Sequence, residues 1–169
     1  MDGSQSSEIF DGKVSLICEN KGIPYDAQVT RLDNPNVGLN IDVFNGVGAK
    51  LDVKGEVTFN SNGNGMFLTL DPNSKLDIAV VNGASLNMDL NAPGFYANVY
   101  SGAELNIDVK GGGSFKSCGN GVYDIGVNDI NDPPATAKAT FSGDGSYTCD
   151  NVSFPSDGTF VPPNCQDCP

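Results

Sequence analysis

Four glycine-led segments recur along this chain at intervals of 27, 29 and 27 residues: GLNIDVF (38–44), GMFLTLD (65–71), GFYANVY (94–100) and GVYDIGV (121–127). A second row repeats beside them in GAKLDVKGEVTFNSNGNG (48–65), SKLDIAVVNGASLNMDLNAPG (74–94) and GAELNIDVKGGGSFKSCGNG (102–121). Such a period constrains a fold more than local propensity does, because each unit can bury its apolar face only against its neighbours. Coils of about 24–30 residues with three short strands each suit a solenoid.

Strand parity separates inside from outside, since successive side chains point to opposite faces. In AKLDV, SKLDIAV and AELNIDV, the residues Leu51 and Val53, Leu76, Ile78 and Val80, and Leu105, Ile107 and Val109 share one face. They are expected to form stacked interior ladders, with Phe59 and Phe115 in matching places and Leu86 or Met88 between them. The 17 Asp against 4 Glu favour turns and strand edges over helices. The connections are NG, DPN and SG, which allow the left-handed backbone of a sharp corner.

The expected fold is all-β: a short right-handed parallel β-helix of about four coils with a strand-rich carboxy-terminal cap. Residues 1–11 form an amino-terminal arm, 12–128 the repeats and 129–169 the cap. The first coil is irregular, with strands KVSLIC (13–18), AQVTRL (27–32) and GLNIDVF (38–44). In the cap, TAKATF (136–141), the turn SGDGS and YTCDNVSF (147–154) suggest a hairpin, with GTFVPP (158–163) returning across it. A β-sandwich of antiparallel hairpins is the competing fold, because NG turns also favour hairpins.

Over about residues 12–128, the coil length, three-strand coil and ladder pattern resemble the right-handed parallel β-helices of the pectin-lyase-like superfamily. FNSN (59–62) after GAKL (48–51) is similar to the FxxN and GGA-type repeats of surface adhesins and autotransporter passengers, although FKSC (115–118) departs from that pattern. The likeness implies a fold and a surface-protein type, and carries no activity with it.

Candidate sites lie on the outward rows. Asn40, Phe67, Tyr96 and Tyr123 align, placing three aromatics in register, and Phe44 matches Tyr100 at a second outward position. Such a face could stack sugar rings or dock a partner, unless the tail, the amino-terminal arm or a second copy covers it. Asp52 and Asp77 align with Asn106, and two carboxylates one coil apart could share a calcium ion. The stretch DINDPP (129–134) resembles the calcium linkers of cadherins at Asp129, Asn131 and Asp132, and reads equally well as a proline-ended turn.

Five cysteines leave at least one unpaired within the chain. Cys18 shares parity with Val14 and Leu16 and is expected in the core. Cys149, Cys165 and Cys168 are disulfide candidates, with Cys149 bridging to one of the terminal pair. The C-x-x-C of Cys165 and Cys168 has no second pair and no histidine to complete a zinc site. Cys118, in a glycine-rich corner, is the candidate for a link to another chain.

The net charge of −12, with one arginine and eight lysines, removes the phosphate-neutralising patch that nucleic-acid binding needs. No stretch approaches the roughly 20 apolar residues of a membrane-spanning helix. Without histidine, Ser/His and Cys/His nucleophiles are excluded. The expectation is a non-enzymatic extracellular or cell-surface module, structural and adhesive, that self-associates or joins another extracellular protein in an assembly or filament. The rival classes are a carbohydrate-binding module using the aromatic row and a calcium-assisted polysaccharide lyase. Asn151, in NVS (151–153), is a glycosylation acceptor if a eukaryote secretes the chain.

Overall fold

The computed structural model describes residues 13–20, 23–29, 37–59, 64–90, 94–119, 124–129, 137–154 and 159–169. Strands β1 (Lys13–Asn20), β2 (Ile23–Val29) and β3 (Val37–Val43) come first. Three regular turns follow: β4 (Gly48–Lys54), β5 (Glu56–Phe59) and β6 (Asn64–Leu70); β7 (Lys75–Val81), β8 (Ser85–Leu90) and β9 (Phe95–Val99); β10 (Glu104–Lys110), β11 (Ser114–Gly119) and β12 (Ile125–Asp129). Shorter strands continue them: β13 (Lys138–Ser142), β14 (Ser146–Thr148), β15 (Val152–Ser153), β16 (Thr159–Val161) and β17 (Cys165–Gln166).

Each turn contributes one strand to each of three sheets, in the orders β16-β13-β10-β7-β4-β1-β2, β17-β14-β11-β8-β5 and β15-β12-β9-β6-β3. Strands from successive turns pair in parallel, so the chain is a β-solenoid with no helix among the described residues. That pairing excludes the antiparallel sandwich.

The corners turn through left-handed backbone. Between the third sheet and the first, Gly46, Asn73 and Gly102 stack with φ of 70°, 58° and 72°. Between the first and second, Asn82 and Gly83 both have positive φ, as do Gly111 and Gly112 one turn later. Asparagine tolerates this region better than other side chains, which explains why the chain alternates Asn and Gly there. At Gly94 the reason for glycine is space: a Cβ would lie 2.0 Å from Ser117 Oγ and 3.1 Å from the Met88 carbonyl.

Inside, the expected parity holds. Leu51, Val53, Leu76, Ile78, Val80, Leu105, Ile107 and Val109 are all buried, each contributing about 1.5–3 kcal/mol of transfer free energy. The neighbours differ from those expected. Leu76 lies beside Leu105 but opposite Ala49, while Leu51 meets Ile78, a displacement of two residues. Phe59 and Phe115 fall in different rows, opposite Met88 and Leu86 respectively. Among the described residues, one buried side-chain polar atom lacks a hydrogen-bond partner, the Ser74 hydroxyl, in a row whose backbone bonds link it to Val47, Ala103 and Ala137.

Both ends differ from expectation. β1 lies antiparallel to β4 and β2 antiparallel to β1, so KVSLIC begins an antiparallel hairpin laid on the first sheet. The second strand is Ile23–Val29 rather than 27–32. In the tail the expected hairpin does not form: β13 and β14 pair in parallel with β10 and β11, and β16 and β17 extend the same two sheets. The glycine turn at 142–146 is a corner of the solenoid, with Gly143 at φ 103° against the Val109 carbonyl.

Candidate functional site

The outer face of the third sheet carries the aromatic row, shorter than the sequence suggests. Phe67 and Tyr96 are register neighbours, half-buried, with rings stacked at 5.6 Å and 19°. Exposed Asn40 stands on one side of the pair. On the other, Gly126 pairs with Tyr96, so the place expected for Tyr123 carries no side chain. Tyr123 lies outside the described residues. The Asn128 amide donates to the Tyr96 hydroxyl at 2.8 Å and fixes the outer end of the ring. Phe44 is 47% exposed, but Asp71 separates its position from that of Tyr100, so these two do not extend the strip.

The first sheet presents charge. Its outward rows are Lys50–Asp77–Asn106 and Asp52–Ala79–Asp108, and Lys110 lies opposite Val81. Asp52 and Asp77 therefore belong to different rows, contrary to the sequence alignment. Lys50 pairs with Asp52 at 2.9 Å, Lys75 with Asp77 at 3.1 Å, and Lys138 with Glu104 at 2.9 Å. Asn106 also donates to Asp77 at 2.8 Å. Each of these carboxylates thus faces a lysine two residues or one strand away. Around the small Ala79, the charged side chains leave a cavity of about 640 Å³ that also touches Lys54, Asn82 and Lys110. The hydrogen bond and charge of Asp108 raise the pKa of Lys110, keeping its ammonium protonated. Asp129 ends β12 opposite Val99, while Asn131 and Asp132 lie outside the described residues, as do residues 1–11.

At the carboxy-terminal end the three disulfide candidates are all engaged. Cys149 bridges Cys165 with a Cα–Cα separation of 5.4 Å, as one of the two expected pairings. Cys168 bridges Cys118 at 5.9 Å, so Cys118 is a buried half-cystine rather than a link to another chain. Between the bridges lies a latch that sequence reasoning missed. Asp124 is buried, its carboxylate accepts hydrogen bonds from the Asp150 and Asn151 amides, and Asp150 Oδ1 accepts one from the Cys168 amide at 2.7 Å. Ser117 Oγ donates to the Asp124 carbonyl. Asp124, Asp150 and Cys168 are close enough to suggest metal ligands, but the Cys168 sulfur is spent in its disulfide and the carboxylates hold backbone amides. The readable signal was Asp124 itself, which follows Gly65 and Gly94 in register when Ile125 is placed opposite Phe95.

No protein-family model, curated protein or solved structure matches this chain. Its class therefore rests on its own geometry: a β-solenoid of parallel coils with an antiparallel hairpin at one end and disulfides at the other.

Proposed function

We propose that this chain is a non-enzymatic extracellular module, structural and adhesive, that forms part of a surface assembly or filament. The observation carrying this reading is the pair of disulfides closing one end of the solenoid, since such bonds persist in oxidising compartments. The reading includes a right-handed winding and kinship with adhesin-type pectin-lyase-like β-helices, supported by the three-strand coil and stacked interior rows. The partner is a second copy or another extracellular protein, met through the aromatic face.

Light scattering across a concentration series tests this. The native chain should associate, and Phe67→Ser with Tyr96→Ser should weaken association at least tenfold. A chain that stays monomeric at millimolar concentration, whose capture on extracellular material ignores both changes, removes the assembly reading. The Phe67–Tyr96 pair with its Asn128 amide supports a second reading as a carbohydrate-binding module. Glycan-array binding abolished by Tyr96→Ala would establish it, and an array blank for the native chain would eliminate it.

A further inference from the structure

We propose that Asn151 is an N-glycosylation site whose glycan covers the open edge of the third sheet. The proposal rests on the extracellular reading above and adds a modification that reading does not require. The chain has 19 asparagines, and only Asn151 is followed two residues later by Ser or Thr across a residue other than proline. The structure leaves the same residue accessible. Asn87, Asn106 and Asn128 spend their amides on Thr58, Asp77 and Tyr96 within the outer faces. Asn151 is exposed, and its main chain is fully used: its N–H donates to Asp124 Oδ2 at 3.0 Å, and its carbonyl accepts from the Asp124 and Ile125 amides at 2.8 and 3.1 Å. Its side-chain amide makes no hydrogen bond among the described residues. The backbone is thus anchored independently of Nδ2, so a large substituent there breaks no hydrogen bond between described residues.

The position also gives the glycan a role. Asn151 immediately precedes β15, the last strand of its sheet, whose outer edge has no strand partner among the described residues. Val152 beside it is one of three large hydrophobic side chains exposed on the described surface, at 38%. Unpaired edges next to apolar side chains recruit further strands, and natural proteins blunt them with charged side chains or by covering them. An oligosaccharide on Asn151 stands in that place. In the transfer, Nδ2 attacks the anomeric carbon of a lipid-pyrophosphate-linked oligosaccharide. The new C–N bond forms as the C–O bond to pyrophosphate breaks, and one amide proton passes to the transferase base.

The test is secretion of the full chain behind a cleavable signal from a eukaryotic host, with cell-free translation into endoplasmic-reticulum microsomes as a second readout. The chain should carry one oligosaccharide removable by an amidase that converts Asn151 to Asp. Asn151→Gln and Ser153→Ala should abolish the mass shift, and Ser153→Thr should preserve it. Light scattering should then show at least fivefold more association for the deglycosylated chain than for the glycosylated one. A disulfide-bonded chain in the lumen with the bare polypeptide mass overturns the proposal, as does a mass shift that survives Asn151→Gln. Glycosylation without any change in association overturns the edge-covering role. These outcomes do not depend on whether Phe67 and Tyr96 mediate adhesion.

Discussion

The middle of the solenoid and its carboxy-terminal end do the same work by different means. In the middle, strands of up to seven residues stack rows of Leu, Ile and Val, and each turn joins the next through a long ladder of backbone hydrogen bonds. Beyond β12 the strands fall to between two and five residues. From β9 onward the interior becomes aromatic. Phe95, Phe115 and Phe141 meet edge to face at 5.8 to 6.2 Å, Tyr147 packs on Phe115 and Phe141, and Phe154 packs on Phe141 and Phe160. Rings bury more area per residue than aliphatic side chains. Two disulfides and the Asp124 carboxylate add ties that the middle lacks. Short ladders thus go with large side chains and covalent links.

The strongest way to break this comparison is to hollow out the aromatic end. Phe115→Ala should cost about 3–5 kcal/mol in chemical denaturation, whereas Ile78→Val in the middle should cost about 0.5–1.5 kcal/mol. Equal losses would mean that the ring cluster is not the main support of the short strands.

Removing the bridges sharpens it further. Loop-closure entropy assigns about 4 kcal/mol to Cys118–Cys168, across 50 residues, and about 3 kcal/mol to Cys149–Cys165, across 16. Paired Cys→Ser variants should lose stability in that order. Amide exchange should accelerate in β13–β17 while β4–β9 remain protected. Uniform acceleration would show the two regions to be one cooperative unit.

Alkaline pH separates the regions as well. Burial pushes the Tyr147 phenol up to about 12 from its ordinary 10.0. Its neutral form donates to the Ser142 carbonyl at 2.7 Å. The unfolded chain ionises first, so this group's contribution is intact below pH about 10 and declines as pH rises toward about 12. Thermal melts should show that decline, and Tyr147→Phe should flatten it.

The smallest effect belongs to the middle, at the unpartnered hydroxyl of Ser74. Ser74→Ala should raise stability by about 1 kcal/mol, because its row already holds Ala103 and Ala137. A loss instead would reveal a partner for that hydroxyl.

These regions also differed in what the sequence could disclose. Placing Leu51 opposite Leu76 was wrong by two residues, yet an even slip leaves every side chain on its own face, so burial in the middle was read correctly while its neighbours were not. Aligning Gly121 with Gly94 was wrong by three, since Ile125 lies opposite Phe95. An odd slip exchanges the faces: it put Ile125 outside, and it set Asp124 opposite Ala97 instead of beside Gly94, where it meets the tail. The candidate aromatic row was overextended for the same reason. In the tail, short strands with a glycine corner carry the same local pattern as a hairpin, and only partners tens of residues away decide between them. The Cys149 bridge was legible from separation and count, but the one between Cys118 and Cys168 depended on that long-range register.

The antiparallel hairpin of β1 and β2 has a consequence for the order in which the molecule can form. Its strands meet between Asn20 and Ile23, while the parallel partners elsewhere are separated by most of a turn or more. Closing a short loop is quick, and distant pairings are slow because chain entropy must be lost before any contact rewards it. During synthesis the hairpin emerges before β4 and offers it a ready template. Each later turn can then be added to a finished surface rather than sought among loose ends. Cys165 and Cys168 emerge after the strands they secure, so the same polarity that starts the winding makes oxidation its final step.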